Sequence, residues 1–207
     1  MAQAIGLLSG PKSFTATPSL RYSTDSQNSF HAPAAYLSNR SSWVHVFPEA
    51  CCHQGPQSGL RYFKWGISRL ILETEPAPEF VPMFVHGTQH IMPENRRWPR
   101  WAPRVGNRIR VVIGDATDVD RMFGPQRAAW KQLVSTSDPE SLRQGSEAKQ
   151  LRMEVAKAVR DEIRKLRLRA GLPEEDDNVA ELAETWSQEP NKRRFKSPVD
   201  GSLVNRH

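Results

Sequence analysis

The stretch Trp43-Val44-His45-Val46-Phe47-Pro48-Glu49 is short, β-branched and aromatic, and it stops at a proline that lacks the amide a central strand needs. It reads as a buried strand that ends on a carboxylate. Beyond a loop containing Gly55, Pro56 and Gly59, the apolar residues Phe63, Ile67, Leu70 and Ile71 fall at i, i+4, i+7 and i+8, one face of a helix that ends before Pro76. Phe80 to Val85 reads as a second strand and Arg108 to Ile113 as a third, closed by Gly114. Strands separated by a helix or by long connections predict an α/β sheet with flanking helices rather than a sandwich.

Further along, Pro125 can open a short helix through Trp130 and Val134. Leu151, Val155, Val159, Ile163 and Leu166 then recur every three or four positions, with Arg152, Lys157, Arg160, Arg164, Lys165, Arg167 and Arg169 on the other faces; Gly171 and Pro173 end this helix. Residues 171–207 form a charged tail, acidic from Glu174 to Asp177 and basic from Lys192 to Lys196. Within it Asn178 can cap a short helix, with Glu181 three residues on and Val179, Leu182, Ala183 and Trp186 on one face, which docks on the domain or on a partner.

The bounds of the chain agree with a single partial domain. Its 207 residues allow one domain with tails, or a domain lacking part of itself. Residues 1–42 are rich in Ser, Thr and Ala, with one acidic residue, Asp25, and scattered Lys12, Arg21 and Arg40. That composition is transit-like, but Pro11 and Pro18 interrupt any amphipathic presequence helix, so a disordered or remnant segment is expected. No window approaches the run of about 18 apolar residues that a spanning helix needs, which leaves interfacial membrane contact. A formal charge of +6 favours anionic partners, whether phospholipid headgroups or nucleic acid. The two cysteines, Cys51 and Cys52, are adjacent, so no disulfide framework is expected.

Phe47-Pro48-Glu49 is the most specific candidate for chemistry. A carboxylate at the carboxyl edge of an α/β sheet stands where ligands usually bind, and Pro48 stiffens its approach. A Pro-Glu pair leaving a strand also serves as an ordinary exit into solvent. The surrounding sequence favours the first. Trp43-Val-His-Val-Phe-Pro-Glu49, Arg61-Tyr-Phe-Lys-Trp-Gly-Ile-Ser-Arg-Leu-Ile-Leu-Glu73, Phe80-Val-Pro-Met-Phe-Val-His-Gly-Thr-Gln89 and Ile91-Met-Pro-Glu94 together resemble the tafazzin family of the glycerophospholipid acyltransferase superfamily, and its fungal members in particular. The resemblance covers residues 43–170, including Arg104 to Gly114 and the helix after residue 146.

That resemblance implies a transacylase that moves acyl chains between phospholipids and lysophospholipids, remodelling cardiolipin as a peripheral protein of mitochondrial membranes, with no cofactor. It implies a glycerophosphate site at Phe47, Pro48 and Glu49, with Pro82 on the next strand shaping the acceptor site. In the family a His-x-x-x-x-Asp motif supplies the base that takes the proton of the lysolipid hydroxyl, worth about 10²- to 10⁴-fold in rate. No histidine of this sequence meets an aspartate five positions on: His31 meets Tyr36, His45 Ala50, His53 Ser58, His86 Ile91, His90 Asn95, and His207 is the last residue. Ala50 and Cys51 stand where the family has Gly and a basic residue. The expectation is therefore a partial acyltransferase sheet over residues 43–170, the N-terminal part of the fold missing, with no catalytic residue assigned.

Other residues compete for roles. His45, alternating with Trp43 and Phe47, reads as a core histidine, and His53, in the loop after Glu49, as the better stand-in for the absent base. Cys51, Cys52 and His53 fall short of the four ligands of a zinc site and read as free thiols beside a histidine, with no metal expected. Arg96, Arg97, Arg100, Arg104, Arg108 and Arg110 interleave with Trp98 and Trp101. These residue types suit an anionic membrane surface, single-stranded nucleic acid, or a solvated loop whose aromatics anchor in the core. The resemblance favours lipid over nucleic acid. The basic helix is expected to cover a sheet or to lie on a membrane. A non-catalytic peripheral protein that binds anionic lipid is the alternative to an enzyme.

Overall fold

The computed structural model describes residues 1–9, 21–22, 30–31, 42–53, 58–93, 97–99, 101–175 and 179–206. They divide into two units interleaved along the chain: Met1–Val46, Trp65–Phe80 and Thr117–Val155 form one, and Phe47–Lys64, Val81–Ala116 and Ala156–His207 the other. Helices and strands are mixed, as the sequence pattern predicts.

In the first unit, helix α1 (Ala2–Leu8) lies against α2 (Gly66–Glu73), which packs on α3 (Val119–Thr136). The predicted face of α2 is buried at Ile67, Leu70 and Ile71, and Val119, Phe123, Trp130, Leu151 and Val155 complete the apolar core of this unit. The Asp118 carboxylate opens α3 by accepting from the Asp120 amide at 2.8 Å. The helix is broken at Phe123, just ahead of Gly124 and Pro125. The predicted start at Pro125 is thus the start of its second segment, because proline cannot donate the amide that would continue the first. Two short ladders also belong here, β1 (Arg21–Tyr22) with β2 (Phe30–His31) and β4 (Glu79–Phe80) with β7 (Thr117–Asp118).

Buried arginines close the helix ends of this unit. Arg127 donates to the carbonyls of Ile71 and, at 3.0 Å, Thr74 at the C-terminal end of α2, and its Nε reaches Asp120 at 2.7 Å. Arg152 donates to Leu142 and, at 3.1 Å, Arg143, at the end of α4 (Pro139–Gln144), between the rings of Trp65 and Trp130. A cation on the last carbonyls of a helix satisfies orphan acceptors and complements the helix dipole.

Helix α5 (Ser146–Arg169) runs on into the second unit, where Leu166 and Ile163 pack with Leu60, Phe84 and Val112. The C-terminal end of the stripe, Ile163 and Leu166, therefore covers a ladder, the first of its two expected placements. This ladder joins β5 (Met83–His86) to β6 (Arg110–Ile113), with Phe84 opposite Val112 and Val85 opposite Val111. Gly171, in the left-handed region at φ 85°, ends the helix: its amide bonds to Leu168 at 2.9 Å and that of Leu172 to Arg167 at 3.4 Å, a paired closure that glycine permits without strain. The tail follows with a 3₁₀ turn (Val179–Glu181), α6 (Thr185–Gln188), β8 (Arg194–Lys196) and β9 (Leu203–Asn205). Strand β9 lies between β8 and β3 (Cys52–His53). The predicted cap Asn178 lies outside the described residues; in place of one helix there are two short pieces, docked through Trp186, whose ring is 5.7 Å from that of Tyr62.

Three strand expectations need correction. Trp43 to Phe47 forms no strand among the described residues, and Trp43 and Phe47 are 82% and 72% exposed. His45 is exposed too, so it is not a core histidine. Val44 and Val46 are the half-buried pair, and the side bearing Trp43, His45 and Phe47 faces outward. The predicted strand Phe80 to Val85 is split at Val81-Pro82, since proline lacks a ladder amide, and its halves pair with different partners. Among the described residues all the ladders are antiparallel and none exceeds three strands, so one larger sheet gives way there to several small ones. The connection from β5 to β6 carries only a 3₁₀ turn (Thr88–His90) among its described residues, without the helix that a parallel crossover uses.

Candidate functional site

Phe47, Pro48, Glu49 and Ala50 make one tight turn. The Ala50 amide donates to the Phe47 carbonyl at 3.0 Å, and Pro48 takes the corner its fixed φ suits. The Lys64 amide donates to the Pro48 carbonyl at 2.9 Å, which ties the turn to the segment entering α2. Glu49 is half-buried. Ala50 adopts φ 52°, a left-handed conformation that glycine enters without cost and alanine does not. The backbone thus keeps the geometry of a glycine where the side chain is alanine.

The next residue, Cys51, is half-buried, and Cys52 is exposed; both are free thiols. Burial holds the Cys51 thiol above its ordinary pKa, with Arg61 opposing that shift, Glu49 adding to it, and Lys64 and Arg206 again opposing. Two of these cations, Arg61 and Arg206, are themselves paired with carboxylates. Arg61 is buried, and its Nη1 donates to Ser202 Oγ at 2.8 Å and to Asp200 at 3.2 Å. Its Nη2 pairs with the buried Glu189, which also accepts from the Tyr62 hydroxyl, from Ser197 Oγ at 2.8 Å and from Arg206 at 3.2 Å. Burial pushes the Tyr62 phenol above its ordinary pKa, against the lowering by Arg61.

Pro82 is buried at the entry to β5, in the same unit but on a separate ladder from the turn. Its carbonyl accepts from the Gly114 amide at 2.9 Å. A Cβ at Gly114 would lie 2.7 Å from the Pro82 ring and 3.2 Å from Leu166, so this close approach requires glycine. Phe47, Pro48 and Glu49 are therefore gathered in one turn, and Pro82 stands apart from them. The His53 side chain, proposed as a substitute base, is outside the described side chains. Among the described residues, no three His, Cys, Asp or Glu side chains gather so as to hold a metal ion.

Arg96 and Arg100 are outside the described residues. Around them Trp98 and Trp101 are 86% and 79% exposed, and Arg97, Arg104, Arg108 and Arg110 are exposed as well. This overturns the reading in which the tryptophans anchor in the core. On the β5–β6 ladder Val85, Val111 and Ile113 are exposed as well. No helix of the described residues is long and apolar enough to cross a membrane.

Sequence reasoning missed Arg61, Lys64, Glu189 and Arg206. Arg61 and Lys64 stood inside the stretch that carried the resemblance. Glu189 and Arg206 gave no local signal, because only the pairing of β9 with β3 brings that end of the chain to Cys51.

No family model matches the chain. It is 31% identical over 204 residues to a tafazzin of Saccharomyces cerevisiae, a match that covers 91% of this chain and 52% of the yeast protein. It is 35% identical over 89 residues to a taffazin of Dictyostelium discoideum, covering 41% of this chain and 30% of that protein. An N-acylphosphatidylethanolamine synthase of Arabidopsis thaliana is 32% identical over 81 residues, covering 38% of this chain and 28% of its own length. The chain thus spans about half the length of the yeast relative and less than a third of the other two. A match across nine-tenths of the chain to one tafazzin, with a shorter match to a second, makes this protein a homologue of the tafazzin family within the acyltransferase superfamily.

Proposed function

We propose that the chain is a tafazzin-type phospholipid–lysophospholipid acyltransferase in which residues 43–170 supply part of the domain, including its lipid-phosphate site. The single observation that carries this reading is the turn Phe47–Ala50, in a tafazzin homologue, with the Lys64 amide bonded to its Pro48 carbonyl at 2.9 Å. Guanidinium and ammonium groups bind phosphate oxygens through charge-assisted hydrogen bonds, so this flank suits the phosphate of a lysophospholipid or of cardiolipin. Glu49 stands at the rim of that site, and Pro82 belongs to the acceptor side. The sequence holds no His-x-x-x-x-Asp, and the lysolipid hydroxyl has no assigned proton acceptor. The chain by itself then binds lipid without transferring acyl groups. The place of action is the surface of mitochondrial membranes, reached peripherally.

The test is acyl transfer from labelled phosphatidylcholine to lysocardiolipin by the purified chain, with Glu49→Ala beside it. The reading expects turnover at the level of the variant for this chain alone. Turnover well above the variant would show a working base and overturn that part of the reading.

A second reading, a non-catalytic peripheral protein, draws on the exposed Trp98, Trp101 and Val105 beside Arg97, Arg104, Arg108 and Arg110. Tryptophan settles at the lipid–water boundary and arginine pairs with lipid phosphates. Vesicle binding without transfer, even after a segment bearing His-x-x-x-x-Asp is supplied, favours this second reading. Preference for single-stranded DNA over cardiolipin vesicles at moderate salt counts against both.

A further inference from the structure

We propose that Arg206, carried in by the last strand, is the side chain that grips the phosphate at this site. The inference rests on the lipid-phosphate reading above and adds to it a residue from outside the domain that the sequence outlined. Strand β9 pairs antiparallel with β3, Cys52 opposite Asn205 and His53 opposite Val204. One further step along the same register sets Arg206 across from Cys51, the residue that leaves the Phe47–Ala50 turn. The Arg206 amide donates to the Arg193 carbonyl at 2.8 Å, which fixes the backbone at that point.

The side chain is held as well. Its guanidinium lies over the Phe195 ring, 5.1 Å from the centroid, and Nη2 reaches Glu189 at 3.2 Å. Arg206 is 25% exposed, whereas Arg61, the other guanidinium on Glu189, is 2% exposed and spent on Glu189, Asp200 and Ser202. A guanidinium offers five N–H donors in a planar fork. The bond to Glu189 uses one nitrogen of Arg206, and among the described residues Nε and Nη1 are uncommitted. Glu189 meets Arg61, the Tyr62 hydroxyl and Ser197 in addition, so it positions Arg206 without claiming it whole. Stacked, tethered at one corner and open at the other, Arg206 offers the two nitrogens Nε and Nη1 to a phosphate without an entropic cost of ordering a loose side chain. Lys64, whose backbone is bonded to the turn, adds a second positive charge, while Glu49 opposes it.

The ligand chemistry is a phosphate ester, present in a lysophospholipid headgroup and in a soluble phosphomonoester alike. The test is calorimetric titration of the full chain with inorganic phosphate and with glycerol 3-phosphate, alongside flotation with phosphatidylcholine vesicles that carry lysophosphatidylcholine. Arg206→Gln is expected to weaken binding about tenfold, the loss of one charge-assisted contact. Glu189→Gln is expected to tighten it, because the carboxylate that shares Arg206 loses its charge. Arg206→Lys keeps the charge and loses the fork, and is expected to weaken binding about threefold. It decides the matter if Arg206→Gln does not fold. A purely structural Arg206 predicts unchanged affinity in the folded variants and no gain in Glu189→Gln, and either result overturns the inference while leaving the phosphate reading standing. No binding of any probe by the unaltered chain overturns the phosphate reading itself, and the inference with it. Tighter binding to the vesicles than to glycerol 3-phosphate identifies the lipid headgroup, and the reverse identifies a soluble ester; both support the assigned chemistry.

Discussion

Ala50 is a residue under strain for the sake of a turn. At φ 52° its Cβ crowds the backbone, a cost of about 1–2 kcal/mol that glycine does not bear, set against the greater freedom of glycine in the unfolded chain. Ala50→Gly is therefore expected to raise stability by about 0.5–1 kcal/mol, seen as a higher urea midpoint at an unchanged slope. A lower midpoint would show that the turn relaxes to an ordinary conformation. The candidate residues divide on what the sequence can say. Glu49 was legible because it follows a proline within a distinctive stretch. Arg206 was not, since its place beside Cys51 depends on a strand pairing between remote segments. His45 and Trp43 differ from expectation for another reason: a short β-branched and aromatic run signals a buried strand only where a partner strand covers it, and none pairs with Trp43 to Phe47 among the described residues.

Helix α5 shows the same division at the scale of an element. Its existence, register and end at Gly171 follow from periodicity and one glycine. The periodicity does not reveal that Arg160 and Arg167 face inward. Arg160 donates to the carbonyls of Leu60 at 2.8 Å and Arg61 at 3.0 Å, and Arg167 to Ser58 at 3.2 Å, so the helix fastens the segment that leads to α2. Glu175 accepts the Leu60 amide at 2.7 Å and lies 3.0 Å from Arg167 and 3.5 Å from Arg160. Arg160→Met leaves the carbonyls of Leu60 and Arg61 without their guanidinium and takes one of several cations from Glu175 and Glu181, and it is expected to cost about 3 kcal/mol in denaturant unfolding. A loss below about 0.5 kcal/mol would mean that the segment is held by other contacts. Glu181 gives the element a pH dependence. Its hydrogen bond from Lys157, opposed by burial and aided by Arg160 and Arg164, holds its carboxyl below the ordinary pKa. A carboxylate lowered on folding adds stability that is complete above the ordinary glutamate value of about 4.3 and fades as pH falls through the lower folded value. Glu181→Gln should therefore flatten the acid limb of a stability–pH curve and change its slope little near neutrality. An acid limb identical to that of the unaltered chain would remove Glu181 from this role.

Considered whole, the molecule carries an uneven surface. Trp98, Trp101, Val105, Ile109, Val111, Ile113 and Val85 are exposed in one unit, among several arginines. Exposed apolar area of this kind marks an interaction surface or an aggregation liability. The chain is expected to need detergent or vesicles to remain monodisperse. Trp98→Ser with Trp101→Ser should raise the monomeric fraction in plain buffer and lower the fraction that floats with anionic vesicles. Monomeric, cooperatively unfolding material from the unaltered chain in plain buffer would contradict this. The mixture of helices and strands was evident from the sequence. Its division into small antiparallel ladders was not, because each ladder is two to four residues long and is fixed by long-range partners rather than by local pattern. The central claim is that the Phe47–Ala50 turn and its cations hold a lipid phosphate. The most direct measurement is a crystal structure of the chain with glycerol 3-phosphate. The account predicts phosphate density beside Glu49 and Cys51, within hydrogen-bonding distance of Arg206. Phosphate bound in another part of the molecule, with this turn empty, would contradict it.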